Sequence, residues 1–216
     1  MVIPIGDDNT GRRLVPIVTW SLIGVNFVVF FVELAYGDPF IERWSFMASR
    51  FLTHPGTEWI TIFSSMFMHA GWLHILGNML YLFIFGDNVE DAFGHWRFLV
   101  FYLTCGVAAN FAQMGLDVTS TEVSLGASGA IAGILAAYLV MFPRAKVKVL
   151  MGYFVVPLPA LIVIGGWIVM QIFSQVGSIS DATGDGVAYM AHIGGFAAGL
   201  VWTAVWRSAQ RRRLQA

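Results

Sequence analysis

Two reactive side chains lie inside long apolar segments of this chain. Ser128 occurs in the run GASG at residues 126–129, and His192 occurs in the run AHIGG at residues 191–195. A polar side chain at membrane depth costs free energy unless it has a partner, so it is a candidate functional residue. A serine hydroxyl becomes a strong nucleophile when a neutral histidine takes its proton. The pair therefore predicts nucleophilic chemistry, with Ser128 as nucleophile and His192 as base.

A second pair of polar residues is suited to the charge that such an attack creates. Attack on a carbonyl carbon produces an oxyanion, which needs preorganised hydrogen-bond donors. His74 and Asn78 are four residues apart, so they share one face of a helix. Backbone N–H groups at a helix N-terminus are also donors, and Ser128 is predicted to stand at one. These groups are expected to lie together.

The composition places these residues in an integral membrane protein. The chain has 216 residues, of which 57% are hydrophobic and 12% charged, and its mean hydropathy is +0.72. These values exclude an ordinary soluble domain. Helices of about 20 apolar residues cross a hydrocarbon core about 30 Å thick. Six stretches are predicted to do so: 14–36, 72–91, 98–115, 126–142, 158–176 and 187–206.

The distribution of basic residues predicts the orientation of these spans. Ten of the twelve Lys and Arg precede the first span or follow the second, fourth and sixth, whereas Arg43 and Arg50 lie in the opposite loops. By the positive-inside rule, both termini are predicted to be cytoplasmic. The four polar residues named above then lie within about two turns of the outer ends of their helices. They are expected to meet near the outer leaflet.

Glycine spacing predicts close contact between the fourth and sixth spans. Gly129 and Gly133 are four residues apart, and so are Gly195 and Gly199. Small residues at this spacing let two helix backbones approach closely. Direct contact between the predicted nucleophile and base requires such an approach.

The organisation predicted along the chain is one membrane domain at 14–206, between a cytoplasmic tail at 1–13 and a basic cytoplasmic tail at 207–216. The connection at 37–71 is long and aromatic, which is typical of a segment in the membrane interface. The apolar segment at 147–157 is placed at the cytoplasmic interface.

Together the motifs resemble the rhomboid family of intramembrane serine proteases. GASG in the fourth span, AHIGG in the sixth and HILGN at the start of the second occur in the family's order, and the resemblance covers nearly the whole chain. It implies an all-α, six-helix rhomboid-like membrane fold and a Ser–His dyad without an acidic third member. Ser128 is implied as the nucleophile and His192 as general base and later acid. His74, Asn78 and the backbone N–H groups of Ser128 and Ala127 are implied as the oxyanion hole.

Some positions match the family's structural residues and others depart from its pattern. His69 and Glu90 resemble structural positions. Trp59 is followed by isoleucine where family members often carry arginine. Some members place an aromatic residue four positions after the serine to stack on the base, but here that residue is Ala132. The imidazole of His192 must then be oriented by other packing.

The resemblance implies hydrolysis of peptide bonds in transmembrane segments of other proteins, near the outer leaflet of a cell (inner or plasma) membrane. The expected partners are these substrates and the lipid bilayer, with no cofactor, metal or nucleic acid. The oligomeric state is left open. The fifth span and the segment 176–186 are expected to form the gate through which a substrate helix enters.

Other interpretations remain open at this stage. Ser128 could bond to its own helix within a small-residue packing face, and the histidines and Asn78 could be polar contacts between helices. The whole chain could be an inactive rhomboid-like protein that binds membrane clients, or a small transporter with a histidine proton relay. A relay is expected to include carboxylates at membrane depth, but Glu33 and Asp87 lie at span ends.

Overall fold

The computed structural model describes residues 2–180 and 187–215, so residues 181–186 of the predicted gate lie outside the described part. The chain begins with β1 (Val2–Gly6) and α1 (Ile17–Tyr36). The long loop then folds into α2 (Asp38–Trp44), α3 (Ala48–Thr53), α4 (Pro55–Glu58), α5 (Thr61–Ser64) and a 3-10 turn (Ser65–Phe67). The remaining elements are α6 (Trp72–Phe93), α7 (His95–Met114), α8 (Ser128–Met141), β2 (Lys146–Met151), β3 (Phe154–Pro159), α9 (Ala160–Ser180) and α10 (Tyr189–Gln215).

The six long helices of the described chain coincide with the six predicted spans. Each begins within three residues of the predicted start. Within the described residues, α1 and α9 are long and apolar enough to cross a membrane on their own, and the segment Thr61–Phe67 with α6 qualifies as a pair bent by 91°. Helix length and hydropathy therefore support two or three spans directly.

α8 forms the centre of the bundle. Its residues from Gly129 to Tyr138 are all buried, and a helix that is apolar on every side belongs in a protein interior. α6, α7, α9 and α10 pack around α8, and α1 packs on α6. The central helix therefore begins at the predicted nucleophile.

A three-stranded antiparallel sheet lies at the opposite end of the bundle, with β2 between β1 and β3. The prediction of an all-α protein was wrong in this respect, because the segment 147–157 contains parts of two strands. In β2 the buried Val147 and Val149 alternate with the exposed Lys146 and Lys148. This period of two is typical of a half-covered strand, and the apolar composition of the segment had obscured it.

Both predicted tails contain regular structure. β1 lies within the predicted N-terminal tail and pairs with β2. α10 continues through the predicted C-terminal tail to Gln215, and the Arg207 guanidinium donates to the carbonyl of Val140 at 2.9 Å.

Next to the sheet, buried and half-buried polar residues form what we call the sheet-end network. Its members are Asp7, Arg12, Thr19, Asp87, Asn88, Glu90 and Tyr138. The Tyr138 hydroxyl and the Asn88 amide both donate to the Asp7 carboxylate at 2.7 Å. Arg12 forms an ion pair with Asp87. The network ties the N-terminal segment to α6 and α8.

Candidate active site

Ser128 is the first residue of α8, and the long loop holds the chain immediately before it. Phe46 and Ser124 exchange backbone hydrogen bonds of 3.1 and 2.7 Å, and the N–H of Gly126 donates to the carbonyl of Ser65 at 2.9 Å. Gly126 has a φ of +129°, a conformation that favours glycine. The loop therefore fixes the position at which α8 begins.

His192 lies in the first turn of α10 and contacts Ser128 directly. Its Nε2 is 2.8 Å from Oγ of Ser128, a normal hydrogen-bond length. The two residues are 64 positions apart in the chain, so only the packing of α8 against α10 brings them together.

That packing depends on glycines at the four positions predicted to form a close helix contact. A Cβ added to Gly195 would lie 1.9 Å from the carbonyl oxygen of Gly129, and one added to Gly199 would lie 2.4 Å from that of Gly133. No side chain fits at those distances. The helix backbones are therefore in contact, which sets the distance between Ser128 and His192.

Two residues on α9 that the sequence analysis missed also contact His192. Nδ1 of His192 is 2.6 Å from Oε1 of Gln171. The indole ring of Trp167 lies beside the imidazole, with centroids 5.7 Å apart and planes 38° apart. The signal was present in the sequence, because Gln171 is a polar residue within an apolar span, as Ser128 is.

His74, in the first turn of α6, presents one ring nitrogen to the space around Ser128. Its Nδ1 accepts a hydrogen bond of 3.4 Å from the N–H of Ala70, so the neutral ring carries its proton on Nε2. A Cβ added to Gly126 would lie 2.9 Å from that Nε2 and 3.6 Å from Oγ of Ser128. Nε2 of His74 and Oγ of Ser128 therefore both lie against Gly126.

Two further donors, one on α6 and one on α8, have no protein partner that the structure records. Asn78, one turn along α6, is 8% exposed, and its Nδ2 has no hydrogen-bond partner within the described residues. It makes no direct bond to Ser128 there. The N–H of Ser128 belongs to the first turn of α8, whose N–H groups have no partner within the helix. Ala127, which precedes it, is fully buried.

His69 contacts both His74 and Glu33. The imidazole rings of His69 and His74 meet edge to face at 5.1 Å. The N–H of His69 donates to both carboxylate oxygens of Glu33 at 3.2 Å, and Glu33 is buried. This arrangement supports the position of His74. No cluster of three or more His, Cys, Asp or Glu suited to a metal occurs among the described residues.

Comparison with known proteins assigns the family. Residues 56–209 match the model of the Rhomboid domain. Rhomboid protein 1, mitochondrial, of Saccharomyces cerevisiae is 27% identical over 207 residues, which are 91% of this chain and 56% of that protein. Rhomboid-like protein 11, chloroplastic, of Arabidopsis thaliana is 38% identical over 88 residues, covering 41% of this chain and 31% of that protein.

A bacterial relative is similar as well. Rhomboid protease AarA of Providencia stuartii is 27% identical over 147 residues, which are 60% of this chain and 52% of that protein. This chain thus spans between 31 and 56% of the lengths of these three relatives. The resemblance predicted from the sequence motifs is confirmed: the chain belongs to the rhomboid family of membrane-integral proteins, which includes serine proteases.

Proposed function

We propose that this protein is an intramembrane serine endopeptidase that cleaves transmembrane segments of other membrane proteins near the outer leaflet. The observation that carries the proposal is the 2.8 Å contact between Nε2 of His192 and Oγ of Ser128. The unpartnered donors around that contact support it, because a packing serine or histidine needs none.

The reaction begins with attack of Oγ of Ser128 on the scissile carbonyl carbon. A C–O bond forms, the hydroxyl proton passes to Nε2 of His192, and the electron pair of the carbonyl bond moves to its oxygen. The donors proposed for that oxyanion are the N–H of Ser128, Nε2–H of His74 and Nδ2–H of Asn78, with the N–H of Ala127 as a further candidate. The positive end of the α8 dipole favours the same charge.

The tetrahedral intermediate then collapses. The C–N bond breaks, and His192 returns the proton to the leaving amine. Water next attacks the acyl group on Ser128, with His192 again taking a proton, and the C–O bond to Oγ breaks as that oxygen regains its proton. In both bond-breaking steps, the proton given to the leaving group comes from Nε2 of His192.

The topology proposed with this function has six spans, with both termini in the cytoplasm. It is supported by the six long helices of the described chain and by the ten basic residues on one side. Residues 14–206 would be the membrane domain, and a cell (inner or plasma) membrane is the proposed location. On this assignment the sheet is cytoplasmic and Ser128 lies near the outer leaflet.

The experiment is cleavage of a transmembrane substrate by the purified protein in lipid vesicles. Ser128→Ala and His192→Ala should each lower the cleavage rate by at least about a thousandfold, since nucleophile and base act as a unit. A fluorophosphonate probe should label wild-type Ser128 and neither variant. Ser21→Ala is the matched control, because the Ser21 hydroxyl is exposed and bonds to its own helix at the carbonyl of Ile17. Full cleavage by Ser128→Ala would exclude the mechanism, and absence of labelling in the wild type would favour an inactive, client-binding protein.

A further inference from the structure

We propose that Gln171 is a positioning residue that sets the tautomer and orientation of His192 from α9. This inference rests on the proposed function, in which His192 is the base. A base that takes the Ser128 proton needs an unprotonated Nε2, and a neutral imidazole meets that need when its proton is on Nδ1. The 2.6 Å contact with the amide oxygen of Gln171 holds the proton there, because that oxygen can only accept.

The surroundings of this hydrogen bond keep it from being replaced by water. Gln171 is 9% exposed. An imidazole that lost its acceptor in this site would leave the Nδ1–H unsatisfied or change tautomer. In the second case Nε2 would carry the proton and could no longer accept one from Ser128. The hydrogen bond therefore distinguishes a competent base from an incompetent one.

The neighbouring aromatic residue acts on the same ring. Trp167 and Gln171 are four residues apart, so they lie on one face of α9. The indole lies beside the imidazole, with the ring planes tilted by 38°, while the amide bonds to the ring edge. On α8, the position four residues after Ser128 is Ala132, which has no aromatic ring to stack on the imidazole. Trp167 and Gln171 therefore orient the imidazole of His192 from α9 instead.

Most of the surface of α9 does not pack against the rest of the bundle, so the contact with His192 depends on the position of this helix. Large side chains along α9 are open to the surroundings, among them Ile162 at 57%, Met170 at 61% and Phe173 at 73% exposure. The helix is therefore held to the bundle along one narrow face, which includes the contact with His192. The base is correctly oriented only while α9 lies against α10.

Two substitutions of similar volume separate hydrogen bonding from packing. Gln171→Met removes the acceptor, whereas Gln171→Glu keeps an oxygen in the same place. The readout is the rate at which a fluorophosphonate labels Ser128: an O–P bond forms, fluoride leaves and His192 takes the hydroxyl proton. This small probe does not have to enter as a helix. Met170→Leu, one residue away on the exposed side, is the control.

Gln171→Met should slow labelling by about ten- to a hundredfold, the factor that corresponds to one buried hydrogen bond. Gln171→Glu should stay within about threefold of the wild type, on the same scale. For a protein substrate, Gln171→Met should lower kcat with KM unchanged. A wild-type labelling rate in Gln171→Met, or equal losses of rate in the Met and Glu variants, would overturn the inference. The proposed function would still stand in either case, provided that Ser128 of the wild-type protein is labelled.

A double-mutant cycle tests whether both residues act through one imidazole. Trp167→Ala and Gln171→Met should each slow labelling, and the double variant should be little slower than Gln171→Met alone, because effects through one shared group are not additive. Fully additive losses would contradict a shared action on His192.

Discussion

The two ends of the bundle carry similar polar residues but satisfy them differently. In the sheet-end network, the fully buried Glu90 carboxylate accepts hydrogen bonds of 2.6–2.9 Å from the N–H of Val18 and from the N–H and hydroxyl of Thr19. At the opposite end, Nδ2 of Asn78, one turn along α6 from His74, has no partner within the described residues. The Glu90 carboxylate is thus satisfied by the protein itself, whereas the Asn78 amide keeps a donor without a partner among the described residues.

The difference separates polar groups that stabilise the fold from those available for chemistry. A buried donor left without a partner costs about 1–3 kcal/mol. An oxyanion that forms during a reaction would be such a partner for Nδ2 of Asn78. Substitutions at the sheet end should therefore lower stability, and substitutions near Ser128 should lower activity.

The largest effect is expected from breaking the sheet end. Glu90→Ala should lower the free energy of unfolding by about 3–5 kcal/mol, because it leaves the buried donors of Val18 and Thr19 unsatisfied. Unfolding in detergent measures this loss. The exposed Glu42 offers a control, since Glu42→Ala should change stability by less than about 0.5 kcal/mol. A Glu90→Ala protein of full stability would contradict the structural role.

The complementary substitution at the other end is Asn78→Ala. Loss of one oxyanion donor should lower kcat by about a hundred- to a thousandfold, or about 2.7–4 kcal/mol, with little change in stability. Steady-state cleavage in vesicles measures the effect. Asn26 is a buried asparagine whose amide bonds to its own helix at the carbonyl of Leu22, so Asn26→Ala should cleave normally. Equal kcat values for the two variants would argue against the oxyanion role.

The contact between α8 and α10 gives a substitution that affects both properties. Gly195→Ala should lower the free energy of unfolding by about 1–3 kcal/mol, because its Cβ forces the two backbones apart. It should also slow fluorophosphonate labelling of Ser128 by about a hundredfold, since a displacement near 1 Å misaligns nucleophile and base. Gly165→Ala is the control, because an added Cβ there meets nothing within 4 Å. Normal labelling in Gly195→Ala would show that the close contact is not required.

The smallest expected effect is a pH dependence at the sheet end. Burial raises the pKa of the Asp7 carboxyl from 3.8 to about 6, against the opposing hydrogen bond from Tyr138. The folded protein then holds the Asp7 proton at pH values where the unfolded chain has lost it. This contribution is complete below about pH 4 and is lost as pH rises through about 6, by an amount on the order of 1 kcal/mol.

Unfolding free energies measured between pH 4 and pH 7 test this dependence. The decline with rising pH should be smaller in Asp7→Asn. Asp8 is the control, because hydrogen bonds from Thr10 lower the pKa of its exposed carboxyl. Asp8→Asn should therefore leave the decline in place. A decline that persists unchanged in Asp7→Asn would assign it to other groups.

Several features could be predicted from the sequence because they depend on composition and local spacing. The long helices start close to the predicted positions since each is a long apolar run. The family followed from three ordered motifs. The strand at β2 was missed although Val147 and Val149 alternate with lysines, because a short apolar segment is ambiguous between interface and strand. Gln171 is recognisable in the sequence as a polar residue within an apolar span, but its contact with His192 is not, because the two residues are on different helices.

The sequence by itself determined the chemical types of the residues, the apolar segments that carry them and the glycine spacing that permits close packing. Only the tertiary structure decided which groups meet, since contacts between residues far apart in the chain depend on how whole helices pack. It brings Nε2 of His192 to 2.8 Å from Ser128 and Nδ1 to 2.6 Å from Gln171. It also satisfies Glu90 at one end and, within the described residues, leaves Nδ2 of Asn78 without a partner at the other. Spacing along the chain does not specify such outcomes, because a hydrogen bond depends on distances of tenths of an ångström.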